Sequence, residues 1–311
     1  MVAETSERLL KEVGKVVVGR ERETRLVLVA FLARGHVLLE GVPGISKTLL
    51  ARAFSSCLGL EFKRVQFTPD MMPLDIVGGF VFNLKNREFD FRRGPIFSNV
   101  LLADEINRAP PKVQSALLEG MQECQVTIEG HTELLPSPFM VVATENPFEF
   151  HGVYPLPEGQ LDRFMLRVVF DYPDGLVESE ILKRNLRDID LSPIEPIMSN
   201  EQIAEVFSKV KSVRVSDEIL DYLSSLAKLT RTEERVNLGA SPRAMVHLVQ
   251  AARAFAFLDG RDYVIPDDVK ALAVPVLAHR ISIEQSAILK GSAPDATAII
   301  REIMEKVKPP R

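Results

Sequence analysis

The run His36-Val37-Leu38-Leu39-Glu40, then Gly41-Val42-Pro43-Gly44, then helical text from Lys47 to about Leu58 constrains this chain more than any other feature. A short apolar run that ends in a glycine-rich turn and restarts as a helix is the βα unit of an α/β fold. Further apolar runs at Phe62–Phe67, Asn99–Ala103, Met140–Thr144 and Phe164–Phe170 read as buried strands. Helical text separates several of them; in Lys112–Met121, Val113, Leu117 and Met121 fall on one stripe. The alternation predicts a parallel sheet flanked by helices.

Two amphipathic helices open the chain, the first with Leu9, Leu10, Val13, Val16 and Val17 on its apolar face. After a break at Gly19, the second carries Leu26, Val29, Ala30 and Ala33. Two segments interrupt the α/β rhythm. Phe80–Leu84 and Glu88–Phe91 alternate around Lys85-Asn86, and Gln125–Ile128 and Thr132–Leu135 do so around Gly130-His131. Both predict inserted β-hairpins. Pro193 and Pro196 mark a linker, and beyond it stripes such as Ile219/Leu223/Leu226 and Met245/Leu248/Ala252/Phe255 are helical. Leu272/Val276 and Ile299/Ile303/Val307 continue the pattern. The expected domains are residues 1–192, the α/β unit, and 193–311, a smaller all-helical one.

Charge narrows the function classes. Lys and Arg number 38 against 43 Asp and Glu, a net −5 over 311 residues. That balance lacks the basic surplus of a protein whose main partner is a phosphate backbone. Two cysteines, Cys57 and Cys124, are too few for a disulfide framework and suit a reducing cytoplasm. The five histidines show no metal-ligand spacing. The acidic start Met1-Val2-Ala3-Glu4 is not a secretory signal, and no apolar run reaches the ~20 residues that span a bilayer.

Gly41 to Thr48 follows the P-loop pattern G-x-x-x-x-G-K-[ST], except that Ser46 stands at the second glycine. Glycines let a loop turn successive N–H groups onto phosphates, and the helix that follows adds its positive end. Lys47 then bridges phosphate oxygens, and the Thr48 hydroxyl ligates Mg²⁺. An ordinary strand-to-helix turn with a chance lysine would read alike. Downstream, Val100-Leu101-Leu102-Ala103-Asp104-Glu105 ends a strand in paired acids. Asp104 would hold Mg²⁺ through water and Glu105 would polarise the attacking water; a solvated strand end is the alternative.

Three further signals follow. Asn146 closes another apolar run, where doubly wound sheets bind ligands, although Asn146-Pro147 is also a common turn. Arg163, in Leu161-Asp162-Arg163-Phe164, is the residue type that stabilises a transferring phosphoryl group, or else the partner of a nearby acid such as Asp162. Ser241-Pro242-Arg243 begins a helix, with Ser as N-cap and Pro in the first turn. A cation there opposes the helix dipole, so Arg243 calls for an anion, a nucleotide phosphate or a surface carboxylate.

The order of these motifs resembles an AAA+ ATPase over nearly the whole chain, and within that group the MoxR family. The resemblance is carried by Leu39–Gly44, by the long run Leu102-Ala103-Asp104-Glu105-Ile106-Asn107-Arg108-Ala109-Pro110-Pro111-Lys112, by Gln114–Glu119 and by Leu161–Phe164. It implies an α/β P-loop NTPase with β-hairpin inserts and a helical lid, using ATP and Mg²⁺. It implies that Gly41, Val42, Pro43, Gly44, Ile45, Ser46, Lys47, Thr48 and Leu49 hold the nucleotide, with Asp104 and Glu105 as Walker B and Asn146 as sensor one. Arg163 would be an arginine finger acting in trans and Arg243 sensor two. Val17, Val18 and Gly19 would line the adenine. Glu145 departs from the glutamine expected between Thr144 and Asn146.

The resemblance further implies a homo-oligomeric ring, usually of about six subunits, coupled to chaperone-like maturation of clients, often proteins with von Willebrand factor A domains. Three other readings stay open on sequence: a magnesium-chelatase-like motor subunit, a helicase-like motor on DNA, and a non-hydrolysing scaffold. Lys85, Arg87, Arg92 and Arg93 keep the DNA reading alive, whereas Glu129 and Glu133 oppose it. Intact Glu105, Asn146 and Arg163 oppose the scaffold.

Overall fold

Residues that alternate along each apolar strand go to opposite faces of one sheet, and this alternation organises the molecule. The computed structural model describes residues 2–149, 152–185, 194–284 and 295–310. Helices α1 (Val2–Gly14) and α2 (Glu21–Leu32) lead into β1 (Val37–Gly41) and α3 (Lys47–Cys57). Next come β2 (Phe62–Gln66), α4 (Pro73–Val77) and the hairpin β3 (Gly78–Asn83)–β4 (Glu88–Arg93). β5 (Val100–Asp104) is followed by a 3₁₀ turn (Ile106–Arg108) and α5 (Pro111–Glu123). A second hairpin, β6 (Gln125–Ile128)–β7 (His131–Leu134), precedes β8 (Met140–Glu145), α6 (Glu158–Leu161), β9 (Leu166–Phe170) and α7 (Gly175–Asn185).

The central sheet is parallel with order β2-β5-β8-β1-β9. Val37, Leu39, Val100, Leu102, Val142 and Leu166 face α1–α3. Leu38, Leu101, Ala103, Val141 and Ala143 face the side of α5, where Val113, Leu117 and Met121 are buried. β1, β5 and β8 are covered on both faces, but β2 is a half-exposed edge. The expectation of a buried β2 is therefore corrected; an edge strand has a neighbour on only one side. The first helix also stops at Gly14, so Val16 and Val17 lie in the turn after it.

The C-terminal part contains α8 (Asn200–Ser212), α9 (Asp217–Thr232), β10 (Val236–Leu238), α10 (Pro242–Leu258), α11 (Pro266–Leu277), β11 (Ser282–Ile283) and α12 (Ala296–Lys306). It is not wholly helical, because β10 and β11 pair antiparallel. Both strands are too short to leave a period in the sequence. Pro193, the expected boundary after residue 192, and His151 lie outside the described residues. Pro196 sits against Gly59, and Ile197 N donates to Cys57 O at 2.8 Å, so this stretch of the connection is laid along the α/β unit. No described helix is long and apolar enough to cross a membrane.

Arg280 joins the two parts. Its guanidinium donates to Asp162 Oδ1 (2.7 Å) and to the carbonyls of Phe164 (2.5 Å) and Met165 (3.0 Å). His247 Nδ1 accepts from it at 2.5 Å, and His279 Nε2 meets Phe164 O at 3.0 Å. Burial pushes the His247 imidazole down to about 3, so it stays neutral and free to accept.

Candidate active site

The C-terminal ends of β1, β5 and β8 converge on a cavity of about 430 Å³, within the usual size of a small-molecule site. Pro43, Gly44, Ser46, Lys47, Thr48 and Leu49 line it from the β1–α3 loop. Asp104, Glu105 and Asn146 line it from the ends of β5 and β8, and Val18 from the turn after α1. The other residues singled out in the sequence stand elsewhere. Val42 and Ile45 pack into the core beneath the loop. At Gly41 a Cβ would meet Phe170 O at 2.7 Å, so only glycine lets the loop pass this close. Val17 is buried in the core, and Gly19 lies under Val177.

Ser46 has φ of 72°, the left-handed conformation that the motif's glycine normally supplies. The substitution thus keeps the loop's path while adding local strain. Lys47 Nζ donates to Gly41 O (2.6 Å) and reaches Glu145 O at 3.4 Å. Burial lowers its pKa, against the pull of Asp104 and Glu105. Asp104 is closely partnered. Thr144 Oγ1 donates to its Oδ1 (2.6 Å), Arg64 Nη2 to its Oδ2 (2.7 Å), and Thr48 Oγ1 lies 3.4 Å from Oδ2. Glu105 has φ of 59° and donates its N–H to Thr144 Oγ1 (2.8 Å). Its carboxylate accepts from Gln66 Nε2 (2.7 Å) and Arg108 Nη1 (3.1 Å).

Asn146 faces the cavity, and its Oδ1 also accepts from Phe148 N at 3.2 Å, so it stabilises a turn as well. The Glu145 side chain belongs to a different cleft, shared with Glu40 and Arg167. Arg167 pairs with Glu40 at 3.0 Å. Burial, followed by Glu40, raises the Glu145 pKa. Lys47 hydrogen-bonds only the Glu145 carbonyl, and the Glu145 carboxylate reaches the lysine through its charge alone.

Arg163 and Arg243 do not line the cavity. Asp162, the acid expected to neutralise Arg163, instead pairs with Arg280 and accepts from Ser241 Oγ at 3.2 Å. Arg163 Nε is buried with no acceptor among the described residues. Arg243 is exposed in the first turn of α10, directly after Ser241, whose Oγ caps that helix through Ala244 N (3.0 Å). The two arginines thus stand either side of the Asp162–Ser241 contact.

Sequence reading missed Val16, Arg64, Gln66, Thr144 and Ile181, all of which line the cavity. Arg64 and Gln66 are two apart at the end of β2, a spacing that puts both on one face. Their relevance depends on β2 lying next to β5, with Gln66 opposite Asp104. The cavity has two chemical ends. Val16, Val18, Leu49 and Ile181 are apolar; Lys47, Thr48, Asp104, Glu105 and Asn146 are polar or charged. A flat base fits the first end and phosphates the second.

Comparison with known proteins identifies this geometry. Residues 36–166 match the family "ATPase family associated with various cellular activities (AAA)", and residues 228–303 match the AAA lid domain. The chain is therefore an AAA+ enzyme that binds nucleotide and hydrolyses ATP. The crystal structure of a candidate ATPase from Cytophaga hutchinsonii is similar with a TM-score of 0.91 and 39% identity, over 100% of this chain and 96% of that one. Chaperone MoxR1 of Mycobacterium tuberculosis is 41% identical over 99% of this chain and 83% of that protein. The uncharacterized protein YeaC of Bacillus subtilis is 45% identical over 97% and 94%. This chain belongs to the MoxR family of AAA+ ATPases.

Proposed function

We propose that the chain works in the cytoplasm as a ring of about six copies, in which ATP hydrolysis drives chaperone-like remodelling or maturation of a protein client. The expected client class is a protein with a von Willebrand factor A domain. The two working units are residues 1–192, the nucleotide-binding core, and 193–311, the lid. One observation carries the ring: neither Arg163 nor Arg243 lines the cavity of its own chain, and neither has a carboxylate partner among the described residues. Arg163 follows Asp162 and Arg243 lies two residues after Ser241, whose side chains touch, so the two cations can supply half of an anion site. The γ-phosphate of a neighbour's nucleotide supplies the other half.

In this reading the backbone amides at the start of α3 and the Lys47 ammonium hold the phosphates. Glu105 turns from Gln66 and Arg108 to take a proton from water, Asn146 orients that water, and Arg163 of the adjacent copy stabilises the charge that develops. Thr48 and Asp104 would hold Mg²⁺, Asp104 through water. Their oxygens approach to 3.4 Å on one wall of the cavity, a hard-oxygen pair that suits this ion. The ion supplies charge neutralisation. The Asp162–Arg280–His247 contacts link the sheet to the lid, so a change at the phosphates can move the lid as a unit.

The test is ATP turnover per subunit across protein concentrations, with particle size measured on the same samples. Specific activity that rises with assembly and falls by about 100-fold or more in Arg163→Ala, with nucleotide binding kept, is the expected result. Monomers that turn over ATP and ignore Arg163→Ala would overturn the shared site. The DNA-motor reading weakens on the hairpins, where Arg93 pairs with Glu133 at 3.4 Å and lies over the Phe97 ring.

A further inference from the structure

The lid carries a groove that the ATP chemistry does not use. It lies between α9 and α10, encloses about 920 Å³, and has Leu223, Ala227, Met245 and Val249 along its floor. Leu220 and Val246 on its lip are 45% and 52% exposed. Lys228, Arg231 and Arg253 border it, and no carboxylate lines it among the described residues. Arg231 donates its Nε–H to Ala240 O, but Arg253 Nε is buried without an acceptor. An apolar floor whose charged border residues are all cations, among the described residues, selects an apolar segment that carries carboxylates.

The same chain presents such a segment. Asp171-Tyr172-Pro173-Asp174 leads into α7, and Tyr172 and Leu176 are 77% and 89% exposed. Asp174 and Glu178 are exposed carboxylates beside them. The segment opens the helix whose Ile181 lines the nucleotide cavity. The groove borders the arginine side. Arg243, Val246, Gln250 and Arg253 recur at helical spacing along α10, so the groove continues the face on which Arg243 begins.

We propose that the Tyr172–Glu178 segment of one copy docks in the α9–α10 groove of its neighbour, with Tyr172 and Leu176 on the apolar floor and Asp174 and Glu178 against Lys228 and Arg253. The inference rests on the ring reading, because an Arg243 that serves a neighbour's phosphates puts the rest of its helix face over the elements bordering that neighbour's cavity. The contact is head-to-tail, the kind that closes a ring. It also makes seating of the lid sensitive to α7, whose other side faces the nucleotide.

The experiment is sedimentation of the full-length chain with ATPγS, comparing wild type with Glu178→Arg, Arg253→Glu and both together. Each single change should raise the concentration for half-assembly by about 10-fold or more, and the double change should restore it to within about threefold, as a swapped ion pair does. Single variants that assemble like wild type, or a double variant no better than the singles, would overturn the docking. A second readout does not depend on charge. Leu176→Cys with Val246→Cys, in a Cys124→Ser background, should cross-link between copies on oxidation, and assembled protein that does not cross-link counts against the proposal. Inert swaps in a protein that assembles and loses turnover in Arg163→Ala sink the docking alone. A wild type that stays monomeric with ATPγS at every concentration sinks the ring and the docking together.

Discussion

The cavity and the arginine face of this molecule treat charge in opposite ways. Around the cavity every acid has a partner in its own chain: Asp104 has Arg64, Thr144 and Thr48, and Glu105 has Gln66 and Arg108. At the arginine face, Asp162 is taken by Arg280 and Ser241, which leaves Arg163 and Arg243 without an acid among the described residues. A region that is electrostatically closed can bind ligand alone, whereas one with surplus cations is finished by an anion from outside. Nucleotide binding should therefore survive changes at the arginine face.

The largest effects should come from changes in these two regions. Lys47→Ala removes the one cation of the loop and is expected to weaken ATP binding by about 100-fold or more, as read by titration with a fluorescent nucleotide. Glu105→Gln keeps the Gln66 and Thr144 contacts but loses the base, so binding should hold while turnover falls at least about 100-fold. Arg163→Ala should behave like Glu105→Gln, not like Lys47→Ala. If Arg163→Ala abolishes binding to the isolated chain, the arginine face is not separate and the comparison fails.

Breaking the joint should cost stability first. Arg280→Met leaves the partly buried Asp162 carboxylate without its cation and the Phe164 and Met165 carbonyls without this donor, a loss of about 2–4 kcal/mol in thermal or urea unfolding. Asp162→Asn keeps the shape and should cost less, because amide and guanidinium still hydrogen-bond. Both variants should bind ATP normally once folded. A variant that unfolds no sooner than wild type would show that the lid needs no such clasp.

How much of this was legible in the sequence depends on which interactions are local. Gly41 to Leu49, Asp104, Glu105 and Asn146 announce themselves because each sits at the end of its own apolar run, and a parallel sheet brings such ends together. Both hairpins were legible from alternation. Arg64 and Gln66 were not, because their roles depend on strand order, which no local period encodes. Val16 was assigned to a helix stripe, yet the helix ends two residues earlier and Val16 turns to the cavity. Arg280 gave no signal: its importance comes from four groups more than 30 residues away in sequence. The Asp162–Arg163 pairing expected from adjacency gave way to that distant arginine, and this is what leaves Arg163 available.

Acid should loosen the joint before the cavity. His36, His247 and His279 are held below their ordinary value by burial, His36 at about 4 and His247 at about 3. Each folded pKa lies beneath the unfolded 6.5, so between those values the unfolded chain takes up a proton that the folded chain refuses. Stability is therefore full above about pH 6.5 and drops as the pH falls, by up to about 1.4 kcal/mol per pH unit for each buried imidazole. His247 faces Arg280, Asp162 and Arg243, and His279 meets Phe164 O, so two of the three lie at the joint. Unfolding midpoints measured from pH 7.5 to 5 should fall, and His247→Gln should flatten the slope. An unchanged slope would move the acid sensitivity to His279 and to His36, whose Nδ1 accepts from Val141 N inside the sheet layer.

The smallest effect is expected at Ser46, and it tests whether the cavity side is as self-contained as its charges suggest. Ser46 holds φ at 72° without capping α3 through its side chain. A left-handed non-glycine residue costs roughly 1–2 kcal/mol, and glycine removes that strain but adds freedom to the unfolded chain worth about 0.4–1 kcal/mol. Ser46→Gly should thus raise stability by about 1 kcal/mol or less and change ATP affinity by less than about threefold, since the amides that meet phosphate are backbone groups either way. Paired thermal unfolding and nucleotide titration would check both numbers. A tenfold loss of affinity would mean that the Ser46 hydroxyl itself binds phosphate, which would make the departure from glycine a functional feature of this loop.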